Sequence, residues 1–273
     1  MLDRFSVVLY EPQALVNIAL IVRAMKNMGL GRLHLVTPAE FDAYRIGGIA
    51  HDTDEIVEAA RIFDDFDSAV AGAVRVVATT ARRRSSRQAW SEPAEAARSL
   101  LDRAASGDIA LVFGREDRGL PNEVLDRCDE AICIPTTDHS SLNLGHAAII
   151  VFYEIRQATR NRLSLAERDL SGKSRDQAPP ATAAELEAFF AVWEDAMDTI
   201  GMFRGVPPTM KMRSYRRILR RADMDQRELR LFKATAHRIA RHARRAEARI
   251  RAEVLQEKTA APREVGPGRP DDA

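Results

Sequence analysis

Between residues 5 and 153 the chain alternates short runs suited to strands with longer runs suited to helices. Phe5–Tyr10 (FSVVLY), Arg32–Val36 (RLHLV), Val74–Thr79 (VRVVAT), Ile109–Phe113 (IALVF) and Ala131–Ile134 (AICI) are rich in Val, Ile and Leu. Such runs suit strands covered on both faces, as in a parallel sheet. Between them Leu15, Ile18, Ala19, Val22 and Met25 recur at spacings of three and four, and Pro93–Ala104 is Ala-rich. Leu142–Glu154 repeats the helical pattern with Ala147, Ile150, Val151 and Glu154. Pro121 marks a further helix start, because a first-turn proline loses no needed hydrogen bond. Strand–helix alternation predicts an α/β domain with helices on both faces of the sheet.

The alternation stops after residue 157. Residues 158–181 are polar, end near Pro179 and Pro180, and read as a linker. Leu186, Phe189, Phe190, Trp193, Met197 and Ile200 then form a helical apolar stripe for packing. Gly201 and the Gly205-Val-Pro-Pro turn separate it from two further helices, 210–221 and 225–251. Tyr215, Ile218, Leu219, Leu229, Phe232 and Ile239 supply their buried side, with Arg213, Arg216, Arg217, Arg220 and Arg221 crowding the other. The expected division is therefore a domain at 1–157, a linker at 158–181, a small all-α basic extension at 182–257 and a disordered tail at 258–273.

Charge separates these parts. Residues 1–155 hold 16 Lys/Arg against 23 Asp/Glu, whereas residues 200–251 hold 16 against 4, a contrast hidden in a whole-chain charge of +1. A basic module is the footprint of a polyanion partner; a solvated helix surface is the plainer alternative. The charge-free stretch Ser140–Tyr153 is too short and polar to span a bilayer. The N-terminus lacks a signal-peptide pattern, and Cys128 and Cys133 have no second pair or histidines at zinc spacing. The expectation is a soluble, cytoplasmic protein with no membrane partner and no metal.

The first strand runs into Glu11-Pro12-Gln13-Ala14, so the dinucleotide glycine fingerprint is missing, as is a Walker lysine. The glycine turn comes late, in Gly114-Arg115-Glu116-Asp117-Arg118-Gly119-Leu120, where backbone amides can approach a ligand. Three segments carry more information together: Asn17-Ile-Ala-Leu-Ile-Val-Arg23 on to Gly29, Leu111 to Leu120 running on to Ile134-Pro135, and Ser140-Ser-Leu-Asn-Leu-Gly-His-Ala147. In this order and at these distances they resemble the three motifs of the SPOUT superfamily, in its SpoU/TrmH branch of RNA ribose 2′-O-methyltransferases. Arg23-Ala-Met-Lys, Thr79-Thr80-Ala81-Arg82, Trp90 and the basic extension narrow the likeness to the TrmJ group, which methylates the ribose of tRNA nucleotide 32.

That resemblance, over residues 5–157, implies a parallel sheet ending in a deep trefoil knot, a rare exception to the rule against threading. It implies a homodimer, tRNA as partner and S-adenosylmethionine as methyl donor. By position, the donor would be held by Thr79, Thr80, Ala81, Gly114, Arg115, Glu116, Ile134, Ser141, Leu142 and Asn143. Asn17, Arg23, Glu116, Ser141 and Asn143 stand in the catalytic slots. Gly145 replaces a frequent Ser or Ala, a small change, and Ala19 a frequent Gly, which removes no functional group; His139 stands where several relatives carry Tyr or another residue, at a position open to a role in nucleotide specificity.

The chemistry asked of these residues is specific. A ribose hydroxyl is a poor nucleophile that must be oriented while negative charge develops on its oxygen. Arg23 stays cationic at any working pH, so it is expected to stabilise that charge and hold a phosphate rather than accept a proton; a surface salt bridge is the alternative. Asn17 suits either the ribose and Arg23 or a helix N-cap. Glu116 suits a charge-assisted pair with Arg23 or a turn pairing with Arg115 or Arg118. Ser141 and Asn143 open the last helix and either face donor and substrate or cap that helix. Arg82, Arg83, Arg84 and Arg87 form a basic loop, and with Arg213, Arg216, Arg217 and Arg220 they are the candidate phosphate contacts. Trp90 suits base stacking or packing. A ribosomal RNA methyltransferase and a silent RNA-binding relative remain as alternatives; an oxidoreductase lacks its fingerprint.

Overall fold

The computed structural model describes residues 1–81, 90–138, 141–166 and 178–260. A 3₁₀ turn, Leu2–Arg4, leads into β1 (Phe5–Tyr10), α1 (Leu15–Met28), β2 (Arg32–Val36), α2 (Ala43–Ile49), α3 (Asp54–Glu58), β3 (Arg61–Phe63), α4 (Phe66–Val70) and β4 (Ala73–Thr79). There follow β5 (Trp90–Ser91), α5 (Pro93–Ala104), β6 (Asp108–Phe113), α6 (Asn122–Leu125), β7 (Glu130–Ile132) and α7 (Leu144–Ala166). The chain closes with α8 (Ala183–Thr199), α9 (Pro208–Arg221) and α10 (Gln226–Ala260).

The seven strands form one sheet in the order β3-β2-β1-β6-β4-β7-β5, and every pairing is parallel. Parallel strands need covered faces, and alternate residues of β1 serve the two sides. Val7 and Leu9 join a core with α1, α5 and α7 through Ile18, Met25, Leu100 and Phe152. Val8 joins the opposite core with Phe66, Val70, Val124 and Leu125 of α4 and α6. Burying a side chain of this size contributes about 1.5–3 kcal/mol, so the two layers hold the sheet from both sides. Gly29 ends α1 in the left-handed region, φ 82°, with its N–H bonding back to Lys26 and Met25; a larger residue is strained there. A third core, with Phe189, Phe190, Met197, Phe203, Met212 and Leu229, joins α8, α9 and α10.

Several boundaries differ from expectation. α7 runs to Ala166, past the linker start expected at 158. Its extra turns are tied down: buried Thr159 bonds the Ile155 carbonyl and Arg162 pairs with Asp102. At the other end of that stretch Pro180 pairs with Asp225 and Ala181 is buried, so these residues are packed rather than linking. α10 continues to Ala260, so 258–260 are helical rather than tail. Residues 167–177 and 261–273 lie outside the described residues. Pro121 caps α6 instead of opening it.

Candidate active site

Parallel strands bring their carboxyl ends to one edge, where an open α/β sheet binds ligands. At that edge the ends of β4, β6 and β7 and the approach to α7 enclose a cavity of about 170 Å³. Thr79, Thr80 and Ala81 line it from β4, Gly114, Arg115 and Glu116 from β6, Ile134 from beyond β7, and Ser141 and Leu142 from the approach to α7. The structure thus brings together nine of the ten residues expected to hold the donor. Asn143 alone is missing from the lining.

The wall after β6 is backbone by necessity. A Cβ on Gly114 would lie 2.4 Å from the Gly119 carbonyl carbon and 2.4 Å from the Leu120 nitrogen. The loop is closed by the Gly119 N–H on the Arg115 carbonyl at 2.9 Å. Arg115 is fixed by Asp117, at 2.9 and 3.0 Å, and by Glu11 at 3.1 Å. On the facing side the Thr80 N–H bonds the Ile132 carbonyl at 3.0 Å, tying the β4 loop to β7. Thr79 Oγ1 is buried with no hydrogen-bond partner among the described residues. A buried hydroxyl left unpaired costs free energy, which a polar ligand would recover.

Beside the cavity a polar chain joins all three sequence motifs. Asn143 Nδ2 donates to Asn17 Oδ1 at 3.1 Å, and Asn17 Nδ2 donates to Glu116 Oε1 at 2.9 Å. The Glu116 carboxylate also accepts the backbone N–H groups of Gln13, at 3.0 Å, and Ala14, at 3.2 Å. Glu116 therefore caps the open N-terminus of α1, whose own cap residue, Ala14, has no side chain for the task. Burial opposes its ionisation, but Asn17 and these N–H donors outweigh it and hold the carboxyl below its usual range. Asn143 Oδ1 does the same for α7, accepting from Gly145 N at 2.9 Å.

These contacts correct two expectations. Among the described residues Glu116 pairs with neither Arg23 nor Arg115 nor Arg118; its acceptors are filled by Asn17 and the start of α1. Asn17 is the third residue of α1 and buried, so it is no N-cap. Arg23 lies away from the cavity lining, exposed on α1, and donates to the His51 carbonyl. Six residues separate it from Asn17, which turns it to another side of the helix.

The basic residues part company too. Arg82, Arg83, Arg84 and Arg87, with His139, lie outside the described residues. Arg213 and Arg217 meet Asp126, Arg216 meets Glu187, and Arg220 bonds Asp129 at 2.7 Å and Glu187 at 2.8 Å. Arg220 is only 4% exposed, so a role in phosphate contact is corrected: its guanidinium is enclosed by carboxylates. Asp129 in turn accepts the Val76 N–H of β4 at 2.7 Å. Charge complementarity between an acidic first domain and basic later helices was visible in the sequence, but not that it serves docking. Trp90 is partly exposed on β5. Among the described residues no cluster of three or more His, Cys, Asp or Glu is placed to hold a metal, and no helix is long and apolar enough to cross a membrane.

Sheet order, cavity and motif geometry define an α/β methylase of the SpoU type. Residues 4–153 match the SpoU rRNA methylase family, and the chain belongs to it. It is similar to the tRNA (cytidine/uridine/adenosine-2′-O-)-methyltransferase TrmJ of Pseudomonas aeruginosa, 35% identical over 238 residues that cover 85% of this chain and 92% of that one. It is 32% identical to the tRNA (cytidine/uridine-2′-O-)-methyltransferase TrmJ of Photorhabdus laumondii over 247 residues, 90% of this chain and 100% of the relative. Among solved structures, TrmJ from Z. mobilis ZM4 superimposes with a TM-score of 0.73 at 30% identity, covering 86% of this chain and 98% of that one.

Proposed function

We propose that this protein transfers a methyl group from S-adenosylmethionine to a ribose 2′-hydroxyl of tRNA, at the cytidine or uridine of position 32 in the anticodon loop. The observation that carries the reading is the Asn143–Asn17–Glu116 chain set against a backbone-walled cavity. Similarity to tRNA 2′-O-methyltransferases over 85–90% of this chain supports tRNA as the substrate. Such a substrate makes the cytoplasm the expected compartment.

The residues present fit the donor. Gly114 lets the loop after β6 fold back on itself as the cavity wall, where a Cβ would strike Gly119 and Leu120, and Thr79 on the lining has a hydroxyl unsatisfied among the described residues. When bound, the donor supplies an electrophilic methyl on a sulfonium centre. Thr79–Ala81, Gly114–Glu116, Ile134 and Leu142 hold it, and apolar Phe113 and Leu120 exclude water from the same wall. Glu116 keeps the two helix starts and the loop after β6 in register; with its acceptors filled, it orients rather than takes up a proton. Ser141, exposed at the mouth, faces the incoming ribose, and Asn143 braces Asn17 and the start of α7 beside it. Arg23 remains a cation, steadied by the His51 carbonyl, and meets the RNA from the exposed face of α1 rather than from the cavity wall.

Two further features belong to this reading. β7 enters the sheet between β4 and β5, although it follows both in sequence. This strand order supports a trefoil knot in the catalytic domain. Val16 and Leu20 on α1 and Tyr153 on α7 are 50%, 45% and 47% exposed. An apolar patch beside Arg23 suits a second copy of the chain, and so a homodimer with the site at its edge. Residues 182–257 serve as the RNA-binding extension.

The test is transfer of tritiated methyl to tRNA transcripts, with the labelled nucleotide mapped. Label at the 2′-oxygen of nucleotide 32 is expected. Label confined to ribosomal RNA, or none with any RNA, overturns the proposal.

A further inference from the structure

α10 presents two unlike faces. Leu229, Ala236 and Ala240 are buried in the third core. On the opposite side Arg230, Arg238, Arg241, Arg245 and Arg249 are all exposed. At 100° per residue these five fall within about 100° of the helix circumference, and at 1.5 Å per residue they extend over about 28 Å. Among the described residues none of them has a carboxylate partner; the ion pairs of this helix belong to Arg227, Arg244 and Arg251. A row of unpaired, always-charged, planar groups is costly in mutual repulsion unless a polyanion neutralises it.

The start of α10 fixes one end of that row, and further along Arg244 meets Asp195 of α8, none of these residues lining the cavity. Asp223, just before it, bridges to Arg75 near the first residue of β4 and to Arg103 of α5, and Pro180 pairs with Asp225. The helix therefore departs from the amino end of β4. The cavity lies at the carboxyl end, roughly 20 Å along the strand.

We infer that the outward arginine row of α10 is a rail for RNA backbone phosphates, gripping the tRNA body away from the methylated nucleotide. The RNA-methyltransferase reading supplies the identity of the polyanion; the rail itself stands on the geometry of α10. It carries no base readout, because all five groups lie in one row suited to successive phosphates. Its contribution is to affinity for whole tRNA, and it leaves the anticodon stem-loop and the donor untouched.

The experiment measures binding, without turnover, of full-length tRNA and of an isolated anticodon stem-loop across a salt series. The full-length protein is compared with the triple variant Arg238→Gln/Arg241→Gln/Arg245→Gln, which keeps good helix formers on the surface. For tRNA the slope of log affinity against log salt is expected to fall by roughly 2.7, about 0.9 for each phosphate no longer neutralised. Stem-loop affinity and donor binding stay unchanged. A matched Arg→Lys triple, which keeps the charge, retains most of the slope. An unchanged tRNA slope overturns the rail, and so does a Lys triple as weak as the Gln triple with its helicity intact. Equal losses for tRNA and stem-loop overturn its placement away from the target. A reduced slope in a protein that methylates no RNA leaves the rail standing and sinks the proposed reaction instead.

Discussion

Arg213, Arg216, Arg217 and Arg220 on α9 each face a carboxylate, at Asp126, Asp129 or Glu187. Arg230, Arg238, Arg241, Arg245 and Arg249 on α10 lie exposed, with no carboxylate among the described residues. One helix uses its arginines to bolt the C-terminal helices to the α/β domain, and the other displays them. The same division runs through the active site. Glu116 is saturated with donors, whereas Thr79 Oγ1 has none among the described residues. The paired groups hold this fold, and at the cavity wall Thr79 Oγ1 is left for a ligand.

The largest effect lies on the bolted side. Arg220→Ala removes a guanidinium enclosed by Asp129, Glu187 and the Phe190 ring. Asp129 is left buried without its cation and Glu187 keeps only Arg216, a loss of about 3–5 kcal/mol, read as a lower urea midpoint. Arg220→Met, which fills the space, does not rescue it, because the buried Asp129 stays unpaired. A loss under ~1 kcal/mol would break the contrast with α10. Acid acts on the same bolt. Burial opposes ionisation of Glu187, but Arg216 and Arg220 outweigh it and hold its carboxyl below the usual range. A depressed carboxyl gives stability that is complete above its unfolded value, about 4.3, and is lost as pH falls through its folded value. The contribution of Glu187 to the melting temperature should therefore be constant from pH 7 to about 5 and be lost below about 4.3, seen as a smaller drop in that acid range in a Glu187→Gln variant.

The next effect concerns the saturated group of the active site. Glu116→Gln keeps the shape but loses the charge that Asn17 and the two backbone N–H groups meet. Hydrogen bonds to a charged group are worth about 1.5–3 kcal/mol, so methyl transfer is expected to fall by roughly ten- to a hundredfold, with donor affinity less affected. Full activity in this variant would remove Glu116 from the orienting role.

What the sequence made legible follows the same line between local and distant chemistry. β1 and β2 begin and end where their apolar runs do, and the cavity loops lie at the carboxyl ends of strands that were visible as such. β3 and β5 were missed because they are three and two residues long, at the two edges of the sheet, with exposed Ile62 and Trp90. Edge pairs this short carry no apolar run, and their register comes from β2 and β7. Glu116 was legible as a site residue but not as the cap of α1, since 99 residues separate it from Asn17. The α9 arginines were read as free cations for the same reason: Asp126 and Asp129 are neighbours only after folding.

A smaller effect sharpens the unsaturated side. Thr79→Val replaces a buried hydroxyl that has no partner among the described residues by a methyl. In the free protein this removes an unmet polar group and is expected to raise stability by up to ~1 kcal/mol. Donor affinity moves the other way, because the group left for the ligand is gone; calorimetric titration of the donor reads it. A variant both more stable and equally tight would assign Thr79 to packing alone.

The smallest expected effect bears most directly on the two arginine helices. Arg249→Gln on α10 touches no carboxylate and no core residue among those described, so its stability change should stay within ~0.5 kcal/mol. If anything it is favourable, since one like charge leaves the row at Arg245. Set beside Arg220→Ala, the two substitutions delete the same functional group from helices of one module, and differ only in what the guanidinium meets. A destabilisation of Arg249→Gln comparable to that of Arg220→Ala would mean that the α10 row has partners in the free protein. The rail would then be one more bolt.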